Sequence, residues 1–221
     1  MGSSLMLRYQ IVQEYLEFSR QFRGGEHMPT IRRIAITAIS YLLGGISTGY
    51  YLVKWRTGED IRVSGSGSSG ARNVGRSLGK AGYIVTAAGD ITKGIAIPSA
   101  VRKLDGSRDD TAMASIAAVV GHVWPAQLGF RGGRGLTVAF GAVMASEPRV
   151  GIASIAIAGA LLPITRSFTS AGLIATAAAP VLSMILRVPV TTVKSIGIMA
   201  SIVLIGHRHY IRKAFRGDIA A

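Results

Sequence analysis

Apolar residues in this chain gather in runs rather than alternating with polar ones. The first run, Ile34 to Val53, lies between Arg32 and Arg33 on one side and Lys54 and Arg56 on the other. It predicts a spanning helix with cations at both interfaces. Residues 81 to 101 read as a second helix, in which Asp90 and Lys93 stand three residues apart on nearly one face. Ionisable groups at membrane depth must pair or face a polar cavity, so these two either do so or belong to a short interfacial helix with both charges in water. Thr111 to Phe130 follows, interrupted by His122 and Pro125. Leu136 to Ala145, Val150 to Ile164, Ala171 to Leu186 and Ile196 to Ile205 supply further helices, some too short to cross without tilt or bilayer thinning. The longest charge-poor runs approach the roughly 20 apolar residues that a spanning helix needs. They are rich in Ala, Gly and Ile, and small residues let helices pack closely in lipid. The expectation is an all-α polytopic transmembrane bundle of six or seven membrane helices.

The polar segments between these runs suggest an orientation. Residues 1 to 33 mix charge and aromatics with apolar residues at loosely helical spacing, and read as an amphipathic surface helix or a disordered extension ahead of one membrane domain over 34 to 221. The stretch from Lys54 to Lys80 carries Lys54, Arg56, Arg62, Arg72, Arg76 and Lys80 against Glu59 and Asp60. Positive loops stay inside, so this stretch and the basic tail from His207 to Lys213 are expected in the cytoplasm. Leu104 to Asp110, with three aspartates against Arg108, suits the outer side. The first 33 residues are also basic, although a single span should put them opposite the 54 to 80 stretch; the loops flank more spans and decide the assignment. No compact apolar core with a cleavage site precedes the first span, which is expected to stay in the protein.

Composition agrees with the pattern. Of 221 residues, 49% are hydrophobic and only 16% are charged. The mean hydropathy of +0.39 is high for a water-soluble domain. A net charge of +14 suggests nucleic acid at first, but the cations sit beside apolar runs, where they meet anionic headgroups. Nucleic-acid binding is therefore set aside. Cysteine is absent, so there is neither a disulfide framework nor thiol chemistry.

Three polar segments assigned to one membrane face carry the candidate chemistry: Gly65 through Asn73 to Arg76, the Gly132 to Gly135 turn, and the tail from His207. Glycine lets successive amides turn inward and bind anions, and arginine adds a fork of donors that matches phosphate oxygens. Each segment alone has a plainer reading: a flexible Gly/Ser linker, an inter-helix turn, an interfacial histidine. The glycine turn lacks the pattern of a Walker A loop. No His/Asp/Glu cluster suits a metal, and no cofactor is expected.

Taken together the segments resemble the bacterial acyl-phosphate:glycerol-3-phosphate acyltransferases, the PlsY family. The likeness starts at Tyr41-Leu42-Leu43-Gly44-Gly45-Ile46, similar to YLLGSI, and continues through Asp60-Ile61-Arg62. Gly65-Ser66-Gly67, Gly70-Ala71 and Asn73-Val74 resemble GSGNPGATNVLR, with Arg76 ten residues after Ser66. Asp90 and Lys93-Gly94 resemble DLLKG. Gly121-His122, Pro125 and Phe130 to Gly135 resemble GHxFPxFxxFKGGKG, and His207-Arg208, Ile211-Arg212 and Gly217 resemble HRxNIxRLxxG. The departures are Ser68-Ser69 for Asn-Pro, Arg72 for Thr, Arg134 for the Lys of the glycine loop and Tyr210 for Asn.

The resemblance implies transfer of a fatty acyl group from acyl phosphate to the sn-1 hydroxyl of glycerol 3-phosphate, giving lysophosphatidic acid and inorganic phosphate in phospholipid synthesis. It implies catalytic roles for Ser66, Arg76, Arg134 and His207, and substrate contacts from Gly65, Gly67, Asn73, Gly132, Gly133, Gly135 and Tyr210. Ser66 and Arg76 would hold substrate phosphate, the loop with Arg134 would cradle the acyl phosphate, and His207 would place the acceptor. A phosphate oxygen of the substrate would take the proton. His122 has the chemistry of a general base, although helix packing is the plainer role. The expected location is the cell membrane, multi-pass, with the site facing the cytoplasm. Two alternatives stand beside this reading: an acyltransferase with another acceptor, its selectivity changed at Tyr210, and a non-catalytic anion or lipid-phosphate transporter or binding protein.

Overall fold

The structure, a computed structural model, describes Gln13 and residues 30–216. Most of the expected N-terminal extension, and Gly217 of the last motif, lie outside the described residues. Contacts divide the chain into two units, Met1–Ile34 and Ala35–Ala221. The second is a helical bundle that holds every candidate site residue.

Nine α-helices are described: α1 Thr30–Gly44, α2 Thr48–Thr57, α3 Ala71–Lys103, α4 Arg108–Val123, α5 Leu136–Ser146, α6 Pro148–Thr165, α7 Phe168–Ile185, α8 Val190–Gly206 and α9 Arg208–Phe215. Short 3-10 turns occupy Ile61–Val63 and Ala126–Leu128. The predicted first span is thus two helices. The chain leaves α1 at Gly44, and Ser47 restarts it by accepting a hydrogen bond from the Tyr50 amide.

The stretch expected to be one polar loop to Lys80 is instead helical from Ala71. Ala71, Asn73 and Val74 face inward while Arg72, Arg76 and Lys80 face out, an amphipathic pattern masked in the sequence by the glycines around it. Gly79, at φ 70° and ψ −166°, breaks α3 before its apolar part. Only glycine takes that backbone shape readily. At the start of α4, Asp110 from the stretch expected on the outer side caps the helix. Ser107 and Asp110 form a reciprocal capping box in which each side chain accepts from the other's amide.

Four described helical segments are long and apolar enough to cross a membrane: Thr30–Thr57, Ala71–Lys103, Pro148–Thr165 and Phe168–Ile185. A fifth is the pair Val190–Gly206 and Arg208–Phe215 if its 66° bend lies within one span. The six or seven expected from the sequence would need the shorter helices α4 and α5 as well. α6 and α7 turn Ile152, Ile155, Val181, Met184 and Ile185 outward. Such an apolar exterior suits hydrocarbon and would be costly in water.

Inside, Val119, Val138, Val150, Ile196, Met199 and Val203 form the main core between α4, α5, α6 and α8. The most extensive helix contact is between α3 and α5. It is closest at Gly94 and Gly141, where a Cβ on Gly94 would strike the Val138 carbonyl and one on Gly141 would strike the Ile91 carbonyl. Backbones this close maximise van der Waals contact, the driving force that remains between helices in lipid. Gly94→Leu should therefore force α3 and α5 apart and destabilise the fold by about 3 kcal/mol or more. Thermal unfolding in detergent would detect this; an unchanged midpoint would contradict the crossing.

Candidate active site

The first site loop, residues 58 to 70, is built around one side chain. Asn73 reaches back from the first turn of α3 and is 2% exposed. Its Nδ2 donates to the carbonyls of Ile61 (3.1 Å), Ser64 (3.0 Å) and Ser68 (2.9 Å), and its Oδ1 accepts from the Ser66 amide at 2.9 Å. The loop can wrap so tightly because Gly65 and Gly67 have φ of 57° and 68°. A Cβ on Gly65 would collide with Asn73 Oδ1. The carboxamide is therefore spent on the loop backbone, and its effect on a ligand runs through the shape of that loop. The Ser66 hydroxyl, by contrast, makes no hydrogen bond to the protein among the described residues.

The glycine loop at 131 to 135 meets this first loop directly. The Ser69 amide donates to the Gly132 carbonyl at 3.3 Å, and the Arg134 guanidinium donates to the Ser66 carbonyl at 3.2 Å. Arg62 fastens them from a third side. Its Nη1 donates to the Leu128 and Arg131 carbonyls while Asp60 holds its Nε and Nη2. The ring of Tyr50 lies 4.8 Å from the same guanidinium. The hydrogen bond from Arg62 holds the Asp60 carboxyl below the ordinary carboxylate range. No local pattern in the sequence announces this clasp, because its partners are 66 and 69 residues away.

Behind the glycine loop sits a buried polar group. Gly132 and Gly133 amides donate to the Val123 and His122 carbonyls, and a Cβ on Gly133 would strike the His122 ring. Lys93 Nζ donates to His122 Nδ1 at 2.9 Å and to the Ile46 carbonyl at 2.8 Å, and pairs with Asp90 at 3.0 Å. The charges at 90 and 93 are thus paired at depth, not spread in water. His122 has the packing and hydrogen-bonding role, with its ring against the loop.

The last segment arrives from α8. Gly206 packs on the Arg134 backbone, which brings His207 beside the glycine loop. His207 is buried, and its Nδ1 donates to the Val203 carbonyl at 2.8 Å. A carbonyl can only accept, so Nδ1 carries the proton and Nε2 of the neutral ring is left as an acceptor. Arg76 lies one helical turn beyond Arg72 on the exposed side of α3 and makes no side-chain hydrogen bond among the described residues. Burial lowers the pKa of Arg134, and the charges of Arg76 and Arg72 push it the same way.

Tyr210 follows His207 by three residues and lies against Arg72. Its hydroxyl is bonded to the Ser167 and Ser170 hydroxyls at 2.8 and 2.9 Å. The first helical turn after Gly135 opens into an apolar cleft of about 210 Å³ between α5, α6, α7 and α8, lined by residues including Leu136, Phe140, Ile155, Gly172 and Met199. Among the described residues no group of three or more His, Cys, Asp or Glu could hold a metal ion.

Residues 34–217 match the family described as glycerol-3-phosphate acyltransferase. A relative so named from Desulfitobacterium hafniense (strain Y51) is 43% identical over 175 residues, covering 79% of this chain and 86% of that one. Another from Clostridioides difficile (strain 630) is 34% identical over 191 residues, covering 83% and 92%. The fold is similar to the crystal structure of PlsY, an integral membrane glycerol 3-phosphate acyltransferase. The glycerol 3-phosphate form gives a TM-score of 0.80 at 29% identity, covering 86% of this chain and 94% of that one. The lysophosphatidic acid form gives 0.78 at 28% with the same coverage.

Two outcomes test this architecture. Asn73→Ala removes the two Nδ2 donors shared among three loop carbonyls and the acceptor of the Ser66 amide, each worth about 1 kcal/mol. Amide exchange should rise across residues 61 to 70 while the helix cores keep their protection. Lys93→Met strands Asp90 and should cost about 3–5 kcal/mol, whereas Asp90→Asn with Lys93→Met should recover much of the loss. Equal destabilisation in the single and double variants would show that the pairing is unimportant.

Proposed function

The chain belongs to the glycerol-3-phosphate acyltransferase family, and from that premise we propose that it transfers a fatty acyl group from acyl phosphate to the sn-1 hydroxyl of glycerol 3-phosphate. It is an integral membrane protein. The observation that carries the site assignment is the junction of the Ser66 loop with the glycine loop, made by Arg134 on the Ser66 carbonyl and by the Ser69 amide on Gly132. Two segments far apart in sequence are thereby joined, and the third, from His207, follows Gly206 where it packs on the Arg134 backbone.

In this reading the acyl chain lies in the cleft that begins at Leu136, and its phosphate meets the glycine loop and Arg134. Ser66 and Arg76 offer a hydroxyl and a guanidinium with no protein partner to displace among the described residues. His207 Nε2 accepts a hydrogen bond from the glycerol phosphate. The acceptor hydroxyl attacks the acyl carbon, the bond from that carbon to the phosphate oxygen breaks, and inorganic phosphate leaves. A phosphate oxygen takes the proton of the attacking hydroxyl. The donor is already activated, so the protein contributes mainly positioning and stabilisation of negative charge.

We assign residues 34 to 221 to one acyltransferase domain and residues 1 to 33 to an extension ahead of it. The site is assigned to the cytoplasmic face of the cell membrane, because the basic stretch around Arg72, Arg76 and the tail after His207 would obey the positive-inside rule there.

The test is phosphate release by the purified protein given palmitoyl phosphate, with and without glycerol 3-phosphate, while lysophosphatidic acid is followed by mass spectrometry. Release and product should both depend on glycerol 3-phosphate. Ser66→Ala and Arg76→Ala should each lower turnover by about a hundredfold or more with unfolding midpoints unchanged. Near-normal turnover in either variant would remove that residue from the site; release without lysophosphatidic acid would mean another acceptor or hydrolysis.

A further inference from the structure

Two of the positions at which this chain departs from its family's pattern, Arg72 and Tyr210, touch one another. They are 138 positions apart, the difference of their residue numbers, yet the Arg72 guanidinium lies 5.6 Å from the centre of the Tyr210 ring. Arg72 also donates to the Thr169 hydroxyl at 3.0 Å. Tyr210 is pinned through its hydroxyl to Ser167 and Ser170, at the start of α7. The start of α7 and the ring together hold a long cationic side chain that would otherwise sweep through solvent.

That side chain is held beside the proposed site. Thr169 stands one helical turn before Gly172, which lines the apolar cleft across from Leu136. Leu136 follows the glycine loop directly. Arg134 thus lies two residues before one cleft-lining residue, Leu136, and Thr169, which holds Arg72, lies three before the facing one, Gly172. Neither Arg72 nor Arg134 is within ion-pair distance of a carboxylate among the described residues. The positive charge of Arg72 is felt at Arg134. Guanidinium groups brought together without a counter-charge call for an anion.

Resting on the acyltransferase reading above, we propose that Arg72 is a specificity-determining residue that binds a substrate phosphate at the mouth of the cleft, and that Tyr210 is the platform that positions it. The chemistry recognised is a phosphate group bearing one or two negative charges, which the acyl donor and the polyol phosphate acceptor both carry. Tyr210 acts through Arg72 and is a positioning residue.

The experiment measures kcat and KM separately for palmitoyl phosphate and for glycerol 3-phosphate in wild type, Arg72→Ala, Tyr210→Ala and the double variant, with thermal unfolding in detergent as a check of folding. Loss of a charge-assisted hydrogen bond should raise one KM by about tenfold or more while kcat changes little. The substrate whose KM moves is the one whose phosphate Arg72 holds. Tyr210→Ala should raise the same KM, and the double variant should be no worse than Arg72→Ala alone. If neither KM moves, or if kcat or the unfolding midpoint alone falls, Arg72 binds no substrate phosphate. Additive effects in the double variant would remove Tyr210 as its platform. Inorganic phosphate supplies an arm that needs no turnover: it should raise the unfolding midpoint of wild type more than that of Arg72→Ala. A wild-type protein that transfers no acyl group but shows this difference would defeat the acyltransferase reading and keep the phosphate site; equal protection of both proteins would defeat the site.

Discussion

The carboxamide of Asn73 holds the Ser66 loop of the proposed active site in one shape. A loop of glycines and serines has little reason to hold one shape, since its residues lose much conformational entropy on ordering and bury little apolar area. Here three carbonyls and one amide of the loop converge on a single buried group that has the right mix of donors and acceptor. An aspartate would lose the donors and a leucine would lose everything, leaving buried carbonyls unpaired. The turn of α3 that carries Asn73 also carries Arg72 and Arg76, so the loop and its cations are registered by the same helix.

The glycine loop depends on a different kind of support. It lies with Gly133 against the His122 ring, and that ring is held by Lys93, which is neutralised by Asp90 and tied to the Ile46 carbonyl at the break between α1 and α2. A buried ion pair contributes little net stability, because desolvating both charges offsets most of their attraction. Its contribution here is geometric. It ties α3 and α4 to the α1–α2 break behind the loop, and Arg62 fastens the same loop from the other side through the Leu128 and Arg131 carbonyls. Rigid support of this kind is what an anion-binding loop needs if binding is not to be offset by ordering it.

The charge of the chain takes on a sharper meaning against this frame. Of the cations named in the site region, Arg62 and Lys93 are neutralised by Asp60 and Asp90 and act as clasps. Arg72, Arg76 and Arg134 have no such partner among the described residues, and the charges of the first two are felt at the third. The division falls along burial and pairing, not along residue type, and it concentrates unbalanced positive charge where the two loops meet.

The sequence by itself determined the all-helical class, the membrane and the order of the polar segments, because each rests on local signals: long apolar runs, flanking cations, glycines and short motifs. It also carried Ser66, Arg134 and His207 as candidates, and the fold brings their segments together. It misjudged where local signals conflict. The glycines around Ala71 to Lys80 hid a helical turn, and Gly44 to Ser47 hid a break in the first span. Only the tertiary structure decided that Asn73 shapes the loop, that Asp90 and Lys93 pair beneath His122, that Arg62 is a clasp and that Arg72 lies against Tyr210. Those contacts join residues on different helices, and which side chains meet is set by where the backbones cross. At crossings such as Gly94 with Gly141 the spacing is fixed by the absence of side chains, and one sequence leaves no periodic mark of its partner there.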